Sequence, residues 1–132
     1  MSILGRTMSV KAVAPLAAVL ILSALLPVMT TSPSREVTLV ARDMAFYVDG
    51  DFAHPNPVIE VKAGEQVRIR LRNGDRGMTH DFAVPALKAA MDDVTWNEQG
   101  EVQFTVPRAA GTYDYVCRPH EAMMRGTLRV TR

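Results

Sequence analysis

At 132 residues the chain has room for one domain and a leader, not for two full domains. Fifteen Lys and Arg stand against 14 Asp and Glu, a near-balance that argues against a nucleic-acid partner, which would ask for a basic excess or stripe. The single cysteine excludes an internal disulfide and leaves a reactive thiol, an intermolecular crosslink or a metal ligand.

Residues 1–34 read as an export leader, with a hydrophobic helix expected within it. Arg6 and Lys11 form a positive start, and no charged residue occurs from Ala12 to Ser34. The apolar heart runs from Ala12 to Met29. It is longer than the usual core of a signal peptide and near the lower limit for a membrane span. The positive flank precedes the apolar stretch, so the amino terminus should stay cytoplasmic and the domain should cross. Ser32-Pro33-Ser34 offers small residues at the spacing of a cleavage site. The segment is therefore either a cleaved signal peptide or a retained anchor, and membrane contact is expected only through it if uncleaved.

Residues 35–132 form the domain. Val37, Leu39 and Ala41 alternate with polar or outward positions in a first strand, and Val58–Val61 makes a second. After the turn at Ala63-Gly64-Glu65, Val67, Ile69 and Leu71 alternate with Arg68, Arg70 and Arg72, a half-buried strand with a solvated arginine face. Asn73-Gly74-Asp75 is a turn. Residues 79–84 read as a strand with His80, Phe82 and Val84 on one side, ended by Pro85. Residues 86–92 suggest a short helix or an irregular excursion. Val102, Phe104 and Val106 alternate in the next strand, Ala110-Gly111 turns into Thr112–Cys117, and Gly126–Thr131 closes the domain. About seven to eight short strands separated by turns predict an all-β sandwich.

The chemistry concentrates between the last two strands, in Cys117-Arg-Pro-His120-Glu-Ala-Met123-Met124. Taken singly, each residue has an ordinary reading: the cysteine as a small core hydrophobe, the histidine as a satisfied surface residue, the methionines as core filler. Together, thiolate and imidazole suit a soft or borderline transition metal, and two histidines, one cysteine and a weak axial methionine are the donor set of electron-transfer copper. His80, on the inward parity of its strand, is the candidate second histidine. For the axial position, Gly126, Leu128 and Val130 should face inward; carried back, this parity selects Met124 over Met123. Glu121 is a nearby oxygen donor but is expected to be exposed, and His54, in Phe-Ala-His-Pro-Asn-Pro, reads as a surface residue.

On these residues the sequence resembles the cupredoxin family, near plastocyanin, pseudoazurin, amicyanin and azurin. VIEVKAGEQVRIRLRN resembles its early strand pair, GMTHDFAVP the strand bearing its first histidine, and GTYDYVCRPH its cysteine-bearing strand. HEAMMRGTL resembles azurin's ending and also selects Met124, whereas Cys-x2-His resembles the other three. The resemblance implies a cupredoxin-like Greek-key sandwich over residues 36–131. It implies one copper ion per chain, held by His80, Cys117, His120 and Met124. Where the family usually has a loop-bracing Asn after the first histidine, this chain has Asp81. Ionised, Asp81 only accepts, so it must brace through a backbone N–H or the Arg118 side chain.

The expected function is single-electron carriage between redox partner proteins in the periplasm or on the outer face of the cytoplasmic membrane. The protein is expected to be a monomer, not an enzyme, and to have no catalytic residue. Absence of Cys-x3-Cys and His-x-His sets aside binuclear and multicopper oxidase centres. The alternative is copper delivery or sequestration. Only five of the eight methionines lie beyond the leader, and Met44, Met78 and Met91 are scattered rather than gathered in a tract, which disfavours a cuprous carrier.

Overall fold

The computed structural model describes residues 35–132, which fold into two β-sheets. In chain order the strands are β1 (Arg35–Arg42), β2 (Ala45–Val48), β3 (Ile59–Lys62), β4 (Gln66–Asn73), β5 (Ala83–Val84), β6 (Ala89–Ala90), β7 (Gln99–Thr105), β8 (Gly111–Val116) and β9 (Arg125–Thr131). One sheet has the order β2-β1-β4-β7 and the other β3-β9-β8-β5-β6. The pairs β1–β4 and β3–β9 are parallel, and the remaining pairs are antiparallel. This is the all-β, cupredoxin-like sandwich expected, with nine strands rather than seven or eight. No helix among the described residues is long and apolar enough to cross a membrane. The expected leader helix lies outside the described residues.

The alternation read from the sequence is the alternation that packs the core. Val67, Ile69 and Leu71 of β4 are fully buried between the sheets, as are Leu128 of β9 and Tyr115 of β8, with Val61 of β3 nearly so. The arginines between the β4 core residues face the other way and pair with Glu36, Glu101 and Asp49 on neighbouring segments. That face is a solvated, ion-paired surface.

Three rings tie the sheets together below the ligand loop. Phe46 of β2 meets Tyr115 and Phe82 edge-on, with centroids 5.5 and 5.9 Å apart, and Phe82 stacks on Tyr115 at 5.1 Å. The Tyr115 hydroxyl donates to the carbonyl of Pro57 at 2.6 Å, so the ring is anchored at its polar end as well.

Two sequence expectations are corrected. β2 was not foreseen, because Ala45–Val48 is short and lies directly after a turn in which Asp43 and Met44 both take positive φ, 51° and 59°. The stretch 79–84 is not a continuous strand: only Ala83–Val84 pairs as one, with an isolated bridge between His80 and Val94 upstream. Burial there does not alternate, since His80, Asp81 and Phe82 are all inaccessible. Parity assumes one solvated face, and this segment has none.

Candidate metal centre

The loop from Cys117 to Met124 is closed by its own backbone. Beyond the last rung of the β8–β9 ladder, Val116 opposite Arg125, the Cys117 N–H donates to the Met124 carbonyl at 3.0 Å. Inside this closure, the His120 N–H donates to the Cys117 carbonyl (3.0 Å), and the Met123 and Met124 N–H groups both donate to the His120 carbonyl (3.0 and 2.9 Å). Pro119 fixes φ in the short 3-10 turn Arg118–His120. The loop is pinned from outside as well, because Asn56 Nδ2 donates to the Met123 carbonyl at 3.2 Å.

His80 reaches the same end of the sandwich from the β4–β5 connection. Its backbone is clamped by a reciprocal pair with Val94, N–H to carbonyl at 3.1 and 2.7 Å. The Cys117 Sγ lies 3.6 Å from His80 Nδ1 and 3.6 Å from His120 Nδ1, and the three donor atoms fall within 4.8 Å of one another. His80 and Cys117 are buried, and His120 is half-buried. Met124 is fully buried beside them in sequence and closure, while Met123 is 56% exposed. The strand that follows keeps the expected parity, with Gly126, Leu128 and Val130 buried and Arg125 and Arg129 exposed. His54 is exposed, and its Nδ1 bonds the Asp51 carboxylate.

These separations fit a metal. With a sulfur bond of about 2.3 Å and a nitrogen bond of about 2.0 Å at a trigonal angle, the sulfur–nitrogen edge measures about 3.7 Å. The observed edges of 3.6 Å therefore need no rearrangement to admit an ion.

The cupredoxin-like domain model matches residues 15–130 of the sequence. The chain belongs to the cupredoxin family. Among solved structures it is similar to auracyanin B, at 26% identity and a TM-score of 0.61, over 76% of this chain and 91% of that one. It is also similar to rusticyanin from Thiobacillus ferrooxidans, at 25% identity and 0.55, over 76% and 79%. Auracyanin A from Chloroflexus aurantiacus, titled a "blue" copper protein, shares the fold at 24% identity and 0.54, over 73% and 98%. No curated protein matches this chain significantly. The cofactor is copper, and the cupredoxin donor set of two imidazoles, one thiolate and a thioether suits it.

The surroundings of the donors are polar and specific. Asp81, fully buried, accepts from the Arg118 N–H at 2.7 Å through Oδ1 and from Arg118 Nε through Oδ2. The same guanidinium donates from Nη2 to the Met91 carbonyl at 2.9 Å. Asp81 thus braces the ligand loop through both routes expected of an acceptor-only side chain. Burial pushes the Cys117 thiol up, and the backbone N–H groups of Asp81 and His120 act in the opposite sense. Burial likewise holds His80 below the usual histidine range, against the pull of Asp75.

Two residues here were not singled out from the sequence. Asp75 Oδ2 lies 2.9 Å from His80 Nε2. Asn73 is fully buried; its Nδ2 donates to the carbonyls of Met78 and Val94, both at 2.8 Å, and its Oδ1 accepts from the Asp75 N–H at 2.8 Å. Asn73-Gly74-Asp75 reads as surface turn chemistry, and that reading conceals both roles. The available signal was a carboxylate five positions before a candidate ligand histidine.

Proposed function

We propose that the protein carries single electrons on one type 1 copper ion, exchanging them with redox partner proteins outside the cytoplasmic membrane. The observation that carries this reading is the convergence of Cys117 Sγ with the Nδ1 atoms of His80 and His120 at 3.6 Å in a loop closed by its own hydrogen bonds. His80 and His120 supply imidazole nitrogens, Cys117 the thiolate and Met124 the weak axial thioether. Four protein donors leave no open position for a substrate, so the reading is of a carrier rather than an enzyme. Rigid donors keep the cost of changing oxidation state low, because little has to move.

His120 is the ligand nearest solvent, and the groups around it suit brief contacts. Pro119, Ala122 and Met123 are exposed beside it in sequence. Pro85 and Ala86 line the same surface hollow as Glu121 and Arg125. The exposed apolar groups Pro119, Ala122 and Met123 support docking of a partner protein at the copper end. Placement outside the membrane is supported by the uncharged stretch that follows Arg6 and Lys11.

Redox titration of the copper-loaded protein tests the proposal. One electron per copper is expected, with a visible band that bleaches on reduction and returns on reoxidation. In the same measurement Met124→Leu should raise the potential on the order of 59 mV, a tenfold change in the relative binding of the two oxidation states. Met123→Leu should leave it near the wild-type value, since that side chain is exposed. A band indifferent to reductant would refute the proposal, and the reverse ranking of the two variants would reassign the axial ligand.

A further inference from the structure

The side of His80 away from Cys117 is held by a carboxylate that also organises the neighbouring chain. Asp75 Oδ2 is 2.9 Å from His80 Nε2, with the His80 side chain fully buried and that of Asp75 15% exposed. The same carboxylate accepts the Asp43 N–H at 2.8 Å through Oδ1 and the Met44 N–H at 3.3 Å through Oδ2. Those are the two residues of positive φ that turn β1 into β2. The Asp75 N–H is tied in turn to the Asn73 side chain. Asp75 is therefore fixed by partners on three sides and cannot swing away from His80 without unmaking the turn.

We propose that Asp75 is a positioning residue for the copper centre, which fixes His80 with its proton on Nε2 and its lone pair on Nδ1 and lowers the reduction potential. The inference rests on the copper reading above. A histidine that gives its far N–H to a carboxylate is held in one tautomer and one ring orientation, and it becomes a more basic ligand. Here that assignment leaves Nδ1, the atom facing Cys117 Sγ, free to bind metal. Both the added basicity and the nearby negative charge favour the cupric over the cuprous ion. The two effects act on the potential in the same direction. Among the described residues His120 has no carboxylate partner of this kind, so the two imidazoles are not equivalent.

The test combines two measurements on the full chain. In copper-loaded Asp75→Asn the charge is lost at nearly constant volume. The ratio of cupric to cuprous affinity should fall at least tenfold, which is a rise in potential of about 59 mV or more. The visible band should be retained, because all four ligands remain. Separately, nitrogen-detected NMR of the cuprous wild type should show a His80 ring proton on Nε2 that exchanges slowly with solvent. This second measurement stands even if the variant fails to fold. A blue wild type whose potential is unmoved in Asp75→Asn, or whose His80 carries no protected Nε2 proton, overturns the inference alone. A wild type that forms no copper–thiolate band overturns the copper reading, and this inference with it.

Discussion

Cys117→Ala is expected to abolish the intense visible absorption of the copper-loaded protein and to weaken copper binding by more than about 100-fold. That bound is the upper end of the loss seen when only an outer-shell partner of a metal ligand is removed. The band requires charge transfer from a thiolate, and Cys117 is the sole cysteine of the chain. No other thiol can substitute. The fold should survive, because the side chain is small and its removal leaves a cavity that costs about 1 kcal/mol. Circular dichroism of the apo variant checks the fold, and absorption during copper titration checks the centre. A Cys117→Ala protein that keeps the colour would show that the centre is built from other donors.

The second large effect falls on stability. Gly126 is the second residue of β9, just after the ligand loop, and it lies under the ring of Tyr115. A Cβ at this position would sit 2.2 Å from both Cζ and Oη of Tyr115. The ring has nowhere to go, since it is fully buried against Phe46 and Phe82 and its hydroxyl is committed to the Pro57 carbonyl. Gly126→Ala therefore forces either the ring or the strand to move. Overpacking costs about 1–3 kcal/mol, and loss of the tyrosine hydrogen bond adds about 1 kcal/mol. A total of about 2–4 kcal/mol lowers Tm by roughly 10–25 °C for a domain of this size. Thermal unfolding of the apo protein measures it. A shift of less than about 4 °C would mean that Tyr115 is not packed as described. Because Gly126 pairs with Tyr115 two positions before Cys117, the same substitution should also loosen the copper site.

The sequence made the sandwich legible where strands have one wet face. Val67, Ile69 and Leu71, and later Gly126, Leu128 and Val130, alternate with residues that the fold does leave outside or half-buried. The same periodicity, carried back across the loop, separated buried Met124 from exposed Met123. The loop residues were legible for a different reason: cysteine, histidine and methionine between two strands form a donor set whose chemistry does not depend on knowing the fold.

What was not legible depends on contacts between segments distant in sequence. Asp81 was expected to brace the loop through Arg118, and it does, but its complete burial follows from neighbours that parity cannot see. Asp75 acts on the site across a turn whose residues favour an exposed loop in any local reading. β2 was lost because four residues after two left-handed positions are too few to show a period.

In the proposed function the copper stays and the electron leaves. A carrier must retain its metal through each cycle, and the proposed function is supported by a Cys117–Met124 loop closed at its ends and braced by Asp81 and Asn56. A delivery protein must instead let an acceptor's ligands in. The most direct measurement mixes the copper-loaded protein, in two arms, with a small oxidised redox protein after reduction and with an apo copper acceptor. Rapid electron exchange in the first arm with copper retained in the second is the predicted result. Prompt transfer of copper to the acceptor, with sluggish electron exchange, would contradict the account and make delivery the function.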